Sequence, residues 1–415
     1  MSKPDDKICV HAWTGLFVTA LGEAGMCCIQ HPLPSKITPL TDVKNVRREK
    51  QWNKIRQSML RGEEHPSCKQ CWDIERENIL PSYRQGSNRR FSKEYEAIKQ
   101  AQAKKLTNDK LLSIDIRQTN TCNMKCLSCG PVYSSLWAAE LAAESKSLHF
   151  SDGKNYNNSI NKNGVLRVEN QGLEDYVLSN LDQVESVYFA GGEPLVNPLH
   201  WSILEKLDQL GRYDISIYYN TNMLKLDYRG THVFDYWDKF TKWAVGASID
   251  AVGDRAEYVR AGTVWNTVDS HIKQVKQRYP NRLSITSTVS ALSVAGLKEM
   301  IVYCRDLGIK HQWSNTLINP SFLHFNILPR DYRQHVFDEI EQTVNEMILH
   351  HDSKTMVSVD QLNKFLAHFK NAMLDSDATP EAKSRFKKFI EQKDITRNTD
   401  IFASCPEFKI LWSKI

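Results

Sequence analysis

The segment DIRQTNTCNMKCLSCG, from Asp115 to Gly130, carries the most information about the fold. It begins as a short strand, turns at Gln118–Asn120, and then supplies Cys122, Cys126 and Cys129 within eight residues. Loops at the carboxyl ends of parallel strands are where ligand sites form in α/β folds. The stretch therefore predicts a parallel sheet with a cysteine site at its carboxyl edge.

Three thiolates at this spacing can hold one cubane iron–sulfur cluster, for which a full set of protein ligands is four cysteines. A missing fourth ligand would leave one iron open, as in catalytic metal sites. A structural zinc site with a fourth ligand from elsewhere is the alternative, because three cysteines alone do not exclude it.

In the sequence around this loop, short apolar segments alternate with amphipathic helical patterns. The helical stripe Val264, Val268, Ile272 and Val275 is one example. The predicted strands are Leu111–Arg117, Glu185–Ala190, Asp214–Tyr219, Trp243–Ile249, Arg282–Ser290 and Ile309–Ser314. Parallel neighbours need crossover helices, so the series predicts an α/β fold with six parallel strands. An open, curved barrel of six strand–helix units is one solution.

Small polar residues follow three of these strands. The second strand leads into Ala190-Gly191-Gly192-Glu193-Pro194, where paired glycines allow a ligand to touch the backbone. Asn222 follows the third strand, and Ser248 and Asp250 follow the fourth. Each could be a plain turn or a helix cap. Their occurrence in register favours one shared pocket.

Cys-x3-Cys-x2-Cys after the first strand, with GGEP after the second, resembles the radical S-adenosylmethionine superfamily over about residues 108–330. The resemblance implies a partial (β/α)6 barrel in which Cys122, Cys126 and Cys129 hold a 4Fe–4S cluster. S-adenosyl-L-methionine (AdoMet) would chelate its open iron. The sequence departs from the family pattern at Leu127, where an aromatic residue usually follows the middle cysteine.

The resemblance also assigns residues to AdoMet. It places Gly191, Gly192 and Glu193 at the amine. It places Asn222, Ser248 and Asp250 near the ribose or methionine, and Arg260 where many members bind a carboxylate.

A second set of cysteines lies near the start, as Cys9-x12-Gly22-x4-Cys27 followed by Cys68-x2-Cys71. Four thiolates could close a complete cluster or an all-thiolate zinc site, and spacing alone favours zinc. The pattern resembles the twitch domain, a shortened SPASM domain that holds one auxiliary 4Fe–4S cluster. That domain normally follows the barrel, whereas here it precedes it.

The remaining cysteines are predicted to be structural. The Gly-x4-Cys spacing favours Cys27 over its neighbour Cys28 as a ligand, which leaves Cys28 as a spare thiol. Cys304 lies on an apolar helical stripe, and Cys405 lies in a C-terminal loop where a role as a stray ligand is the alternative.

The predicted organisation is a twitch-like domain over 1–85, a linker over 86–107, the barrel over 108–330 and a helical extension over 331–415. The Asn- and Gly-rich segment Ser151–Gly164 predicts a mobile loop. In the extension, Val336 to Ile348 forms an apolar stripe, Ser358 begins a capping box, and Thr379-Pro380 begins another helix.

The amino-acid composition excludes some classes of protein. Of 415 residues, 41% are hydrophobic and 25% charged, which excludes a fully disordered chain. The formal net charge of +5 is too small to name nucleic acid as a partner. No secretory signal and no apolar run of 18 residues is found, which predicts a cytoplasmic protein without disulfides.

The resemblance implies an enzyme of the oxidoreductase type. It would reductively cleave AdoMet to a 5′-deoxyadenosyl radical and abstract a hydrogen atom from a substrate, with a flavodoxin or ferredoxin as electron donor. A peptide or protein side chain is the first substrate hypothesis, and a sugar or nucleotide is the alternative. A non-catalytic, zinc-binding protein that contacts nucleic acid through its basic stretches is the second alternative.

Overall fold

The computed structural model describes residues 6–77, 81–101, 110–143, 163–350 and 358–415. Of the segment Ser151–Gly164, residues 151–162 lie outside the described residues. The strands are β1 (Gly15–Val18), β2 (Glu23–Gly25), β3 (Ser35–Lys36), β4 (Ser113–Ile116), β5 (Lys125–Cys126), β6 (Ser186–Phe189), β7 (Ser216–Thr221), β8 (Asp227–Tyr228), β9 (Thr231–His232), β10 (Lys242–Ser248), β11 (Arg260–Ala261), β12 (Leu283–Val289) and β13 (Lys310–Thr316).

The helices are α1 (His11–Thr14), α2 (Val43–Val46), α3 (Lys50–Leu60), α4 (Lys69–Glu77), α5 (Tyr83–Arg90), α6 (Ser92–Ala101), α7 (Ser135–Ala143), α8 (Gln171–Ser179), α9 (Pro198–Gln209), α10 (Phe234–Trp237), α11 (Gly253–Val259), α12 (Trp265–Arg278), α13 (Leu297–Asp306), α14 (Arg330–Leu349), α15 (Val359–Met373), α16 (Pro380–Arg397), α17 (Ile401–Ser404) and α18 (Phe408–Leu411). The chain forms two compact units. Unit 1 comprises Met1–Thr121, Val165–Tyr219 and Asp227–Trp243, and unit 2 comprises Cys122–Gly164, Asn220–Leu226 and Ala244–Ile415.

In unit 1 the strands lie in the order β7-β6-β4-β1-β2-β3. The first four are parallel neighbours, whereas β2 and β3 run antiparallel. Gly22, at φ 77°, allows the tight turn between β1 and β2, because a left-handed backbone favours glycine. The register of β1 against β4 places Phe17 beside Asp115. The N-terminal segment thus adds strands to the edge of a parallel sheet.

In unit 2, β10, β12 and β13 are parallel neighbours. Along β12 every second side chain is buried, which is the pattern of a strand with one face on the core. The C-terminal helices share one apolar core with α11 and α13, and Phe337, Phe369, Phe386 and Phe408 are fully buried in it. Ser358 and Gln361 form the predicted capping box, and Thr379 caps the helix that Pro380 begins. The extension therefore packs as part of unit 2.

The predicted fold class is confirmed, since the fold is a mixed α/β structure with a mostly parallel sheet and C-terminal helices. The six predicted strands are present as β4, β6, β7, β10, β12 and β13. One helical detail was wrong, because Val264 is the N-cap of α12 and is 51% exposed. The division at residues 85, 107 and 330 stays a prediction, and the parallel pairing of β1 with β4 was not foreseen.

Candidate metal centre and its surroundings

The cysteine loop of unit 2 is held by a two-stranded ribbon. β5 pairs with β11 in antiparallel fashion, and this pairing sets Arg260 opposite Cys126. The Nη1 atom of Arg260 lies 3.9 Å from the sulfur of Cys126. The indole of Trp137 donates to the Cys126 carbonyl at 2.8 Å. The loop is therefore fixed from both sides, with a guanidinium beside the middle cysteine.

The three thiols of this loop form one electrostatic group. The Cys129 thiol donates a hydrogen bond to the sulfur of Cys126, and this bond, together with Arg260, outweighs burial and lowers the pKa of Cys126 to about 7. The pKa of Cys129 is raised well above its ordinary value by donating that bond and by burial, and Cys122 adds to this effect. The three cysteines that the sequence predicts to act together, Cys122, Cys126 and Cys129, therefore interact in the structure. Cys126 is the one whose pKa is lowered, so its thiol ionises most readily.

Asp250 orients the guanidinium of Arg260. Its two oxygens accept from Nε and Nη2 of Arg260 at 2.8 and 2.9 Å, and the backbone N–H of Thr288 donates to it at 2.7 Å. Asp250 is 1% exposed. Asp250 and Arg260, both predicted to lie at AdoMet, thus form an ion pair with each other. Their contacts with AdoMet stay a prediction.

Asn222 lies against a residue that the sequence analysis missed. Its Nδ2 donates to Oδ1 of Asn123 at 2.7 Å, and its own Oδ1 accepts from Leu224 N. The Nδ2 atom of Asn123 is buried, with no hydrogen-bond partner in the part of the chain that the structure describes. An unsatisfied buried donor is costly, which makes it a candidate contact for a ligand. Its position directly after Cys122 was the available signal. Ser248 is half-buried at the end of β10, opposite Thr286.

The GGEP segment closes onto the residue that precedes the first cysteine. The backbone N–H of Glu193 donates to the carbonyl of Thr121 at 2.8 Å. A Cβ on Gly192 would lie 2.1 Å from that same carbonyl oxygen, so only glycine fits there. Gly191 adopts φ 113°. The paired glycines thus allow two backbone segments to meet.

The carboxylate of Glu193 has a local role. It accepts from the backbone N–H of Leu195 at 3.1 Å and so caps the short 3-10 helix Pro194–Val196. Glu193 is 3% exposed. Its predicted contact with the AdoMet amine stays a prediction.

The N-terminal cysteines of unit 1 surround a separate cavity. Cys9, Cys27, Cys68 and Cys71 all line one small cavity of about 20 Å³, together with Tyr83 and Arg84 among others. Burial raises the pKa of Cys9 to about 12 and that of Cys68 to about 11, and the neighbouring thiols add to both shifts. The structure therefore brings together the four residues that the sequence analysis grouped.

Cys27 and Cys28 point to different surroundings. Cys27 lines the cavity and interacts with Cys9 and Cys68, whereas Cys28 interacts electrostatically with Asp115 and Arg117. This geometry agrees with the choice of Cys27 as the candidate ligand. Asp115 in turn binds Arg117 at 2.8 Å through both oxygens, a pair that the sequence analysis did not single out. Its signal was the Asp-x-Arg spacing on a strand, which puts both side chains on one face.

The other two cysteines are structural. Cys304 is buried on α13, with its sulfur 3.8 Å from that of Met300. Cys405 is fully buried and donates to the carbonyl of Leu292 at 3.8 Å. Among the described residues, no group of three His, Cys, Asp or Glu side chains converges as a single metal ion would require.

A charged cluster supports the cysteine loop. Glu140 on α7 accepts from Lys125 at 2.7 Å and, across unit 2, from Lys393 and Arg397 on α16 at 2.7 and 3.0 Å. Burial opposes the ionisation of Glu140, but hydrogen bonds from these three cations lower its pKa to about 2. Lys125 directly precedes Cys126, so the cluster anchors the loop to the C-terminal helices.

Comparison with known proteins gives structural neighbours only. No protein-family model and no curated protein matches the chain. Among solved structures, native anSMEcpe with bound AdoMet is 20% identical over 58% of this chain, at a TM-score of 0.37. The same enzyme with AdoMet and the Cp18Cys peptide is 18% identical over 60%, also at 0.37. SuiB of Streptococcus suis bound to S-adenosylmethionine is 14% identical over 68%, again at 0.37.

The matched parts cover 62%, 62% and 58% of those three chains, so the likeness spans about three fifths of each. At these TM-scores it carries no argument about the function of this chain. Within the described ranges, no helix combines the length and apolar character that crossing a membrane requires.

Proposed function

We propose that this chain is a radical AdoMet enzyme that modifies a peptide or protein side chain. The observation that carries the proposal is the cysteine loop. Three thiols interact there on one short turn, and the Arg260 guanidinium lies 3.9 Å from Cys126. Three ligands and an adjacent cation are a donor set that suits an anionic thiolate cluster with one open metal position.

The residues proposed to hold the barrel cluster are Cys122, Cys126 and Cys129. The pKa of Cys126, near 7, fits this role because a ligand must lose its proton on binding. Arg260 compensates the negative charge that such a cluster adds to a buried site, and Asp250 keeps Arg260 in place.

The residues proposed for AdoMet are Gly191, Gly192, Glu193, Asn222, Ser248, Asp250 and Arg260. Gly192 supports this, since a side chain there would collide with the Thr121 carbonyl directly before the first cysteine. The buried Nδ2 of Asn123, held in place by Asn222, adds a donor available to a polar ligand.

When bound and reduced, the cluster would supply the electron that splits the AdoMet sulfonium into methionine and a 5′-deoxyadenosyl radical able to abstract a substrate hydrogen. The contribution of the chain's own residues is to bind, orient and exclude water. Glycines 191 and 192 let their loop pack closely against Thr121 and Arg117, and Asp250 fixes the direction of Arg260. A flavodoxin or ferredoxin is the proposed electron donor.

The N-terminal cavity is proposed to hold an auxiliary 4Fe–4S cluster on Cys9, Cys27, Cys68 and Cys71. The support for this site is that all four thiols line one cavity in unit 1. Arg84 also lines this space and would balance negative charge there. A four-cysteine site is closed, so this cluster would have no position for AdoMet.

The substrate proposal, a peptidyl side chain, rests on the twitch-like cysteine pattern. Relatives with that auxiliary domain commonly modify peptides or proteins. The neighbouring anSMEcpe structures include bound peptides, which is a property of that enzyme.

The test is anaerobic reconstitution with iron and sulfide, followed by reduction in the presence of AdoMet. We expect about eight iron atoms per chain and the formation of 5′-deoxyadenosine. Cys126→Ala should abolish 5′-deoxyadenosine and keep about half of the iron. Stoichiometric zinc in a colourless protein that forms no 5′-deoxyadenosine would contradict the proposal and support the zinc-binding alternative.

A further inference from the structure

A continuous chain of contacts in unit 1 joins the N-terminal cavity to the paired glycines. Cys27 lines the cavity, its neighbour Cys28 interacts electrostatically with Asp115, Asp115 binds Arg117, and the side chain of Arg117 packs against Gly191. We propose that Arg117 is a positioning residue that sets the Gly191-Gly192 backbone for AdoMet and links it, through Asp115 and Cys28, to the auxiliary cysteine cavity. This inference rests on the proposed function.

Arg117 is held more firmly than a surface arginine. Its guanidinium binds both oxygens of Asp115 at 2.8 Å, and its side chain is only 24% exposed. The guanidinium carbon also lies 5.1 Å from the ring centre of Phe17 and 5.6 Å from that of Tyr188. Phe17 and Tyr188 belong to the strands on either side of β4, so Arg117 bridges three strands.

The contact with Gly191 is steric and direct. A Cβ on Gly191 would lie 2.9 Å from Cβ of Arg117 and 3.2 Å from its Cγ. Gly191 also holds φ 113°, a conformation that side-chain-bearing residues rarely adopt. The stem of Arg117 therefore sets how closely the glycine backbone approaches β4. A change in the direction of Arg117 would displace the loop proposed to bind AdoMet.

Asp115 connects Arg117 to the segment that carries Cys27 and Cys28. It is 7% exposed, and its carboxylate is shared between the Cys28 thiol and the fork of Arg117. Cys28 follows Cys27 in the chain, so the backbone that holds one wall of the cavity also holds a partner of Asp115. Coupling between two sites needs such a physically connected network, and it acts in both directions.

The first arm of the test measures AdoMet binding to the reconstituted protein by calorimetry. Arg117→Ala should raise the Kd about tenfold, as loss of a partner outside the ligand shell typically does. Arg90→Gln is the matched control, because Arg90 also stacks on a tyrosine of this sheet, Tyr218 at 4.4 Å, without touching the glycines. That control should keep the wild-type Kd. A positioning role predicts a raised KM for AdoMet, with the rate at saturation within about twofold.

The second arm tests the link to the cavity. Cys28→Ala removes the thiol that interacts with Asp115 and should weaken AdoMet binding about threefold, whereas Cys28→Ser keeps a polar group there and should restore most of the affinity. If Arg117→Ala fails to fold, Arg117→Lys replaces it, because lysine keeps the stem but cannot bind both oxygens at once.

The third arm needs no AdoMet. Hydrogen exchange over residues 186–195 of the reconstituted protein should accelerate in Arg117→Ala and stay unchanged in Arg90→Gln. A wild-type Kd for Arg117→Ala, or unchanged exchange in this segment, would overturn the proposal. If the wild-type protein binds no AdoMet, the proposed function fails, and the exchange arm still tests the role of Arg117 by itself.

Discussion

The two cysteine regions of this chain use the same side chain in opposite settings. The loop of unit 2 draws three thiols from eight residues, and the hydrogen bond from Cys129, with the Arg260 guanidinium nearby, lowers the pKa of Cys126 to about 7. The cavity of unit 1 draws four thiols from segments that span residues 9–71, and burial raises the pKa of Cys9 and Cys68. The two regions therefore differ in the number of cysteines and in their spacing along the chain, and under the proposed function the first would be the open site and the second the closed one.

The largest effect is expected when the cysteines of each site are replaced in turn. Replacing Cys122, Cys126 and Cys129 by Ala should abolish 5′-deoxyadenosine formation and leave about four iron atoms. Replacing Cys68 and Cys71 by Ala should also leave about four, yet retain AdoMet cleavage, because the open cluster is untouched. Iron analysis and product chromatography measure both. AdoMet cleavage lost in the second variant and kept in the first would reverse the assignment.

The adjacent residues Cys27 and Cys28 allow a test of which thiol belongs to the N-terminal site. Cys27→Ser should lose the iron of the auxiliary site, since Cys27 lines one cavity with the other three thiols. Cys28→Ser should keep it, since Cys28 faces Asp115. Iron content after reconstitution, with the visible absorption of each variant, gives the answer. Equal iron loss in both variants would show that this pair is not divided as the geometry indicates.

Gly192→Ala tests whether the open site needs a bare backbone. The added methyl group would meet the Thr121 carbonyl at 2.1 Å, so the two segments must separate. AdoMet affinity should fall about 100-fold, because displacement of a binding loop by a fraction of an ångström is costly. Calorimetric titration measures this, with Gly86→Ala as the control, since nothing lies within 4 Å of a Cβ there. Equal affinities of the two variants would remove the GGEP segment from the site.

Asp250→Asn tests how much the ion pair with Arg260 stabilises the fold. It leaves Arg260 with a neutral partner beside Cys126, in a pair whose side chains are 1% and 14% exposed. The free energy of unfolding should drop by about 3 kcal/mol, as expected when one partner of a buried ion pair is removed. Denaturant unfolding of the metal-free protein measures it. The control Asp254→Asn, at an exposed position, should change stability by less than about 0.5 kcal/mol.

Local features of both sites could be predicted from sequence. The six parallel strands follow from short apolar runs, and the capping box at Ser358 follows from residues three positions apart. The cysteine loop is equally local, because its ligands lie within one turn of chain. The grouping of Cys9 with Cys71 needed the resemblance to a known domain, since no local spacing joins residues 62 positions apart.

Long-range contacts could not be predicted in the same way. The parallel register of Phe17 with Asp115 brings together residues 98 positions apart, and neither segment alone encodes it. The interaction of Cys28 with Asp115 depends on that register, and so does the place of Arg117. Asp250 illustrates a different difficulty. The sequence shows a polar residue at the end of a strand, but it does not show that the carboxylate of this residue is bonded to Arg260.

The buried carboxylate of Glu140 connects the C-terminal helices to the cysteine loop. Lys393 and Arg397 reach it from the far end of the polypeptide, while Lys125 reaches it from beside a proposed iron ligand. A shortened protein that ended before α16 would lose Lys393 and Arg397, so that of these three cations only Lys125 would remain beside Glu140. The C-terminal helices and the cysteine loop therefore share one carboxylate, and a change in either should alter the other.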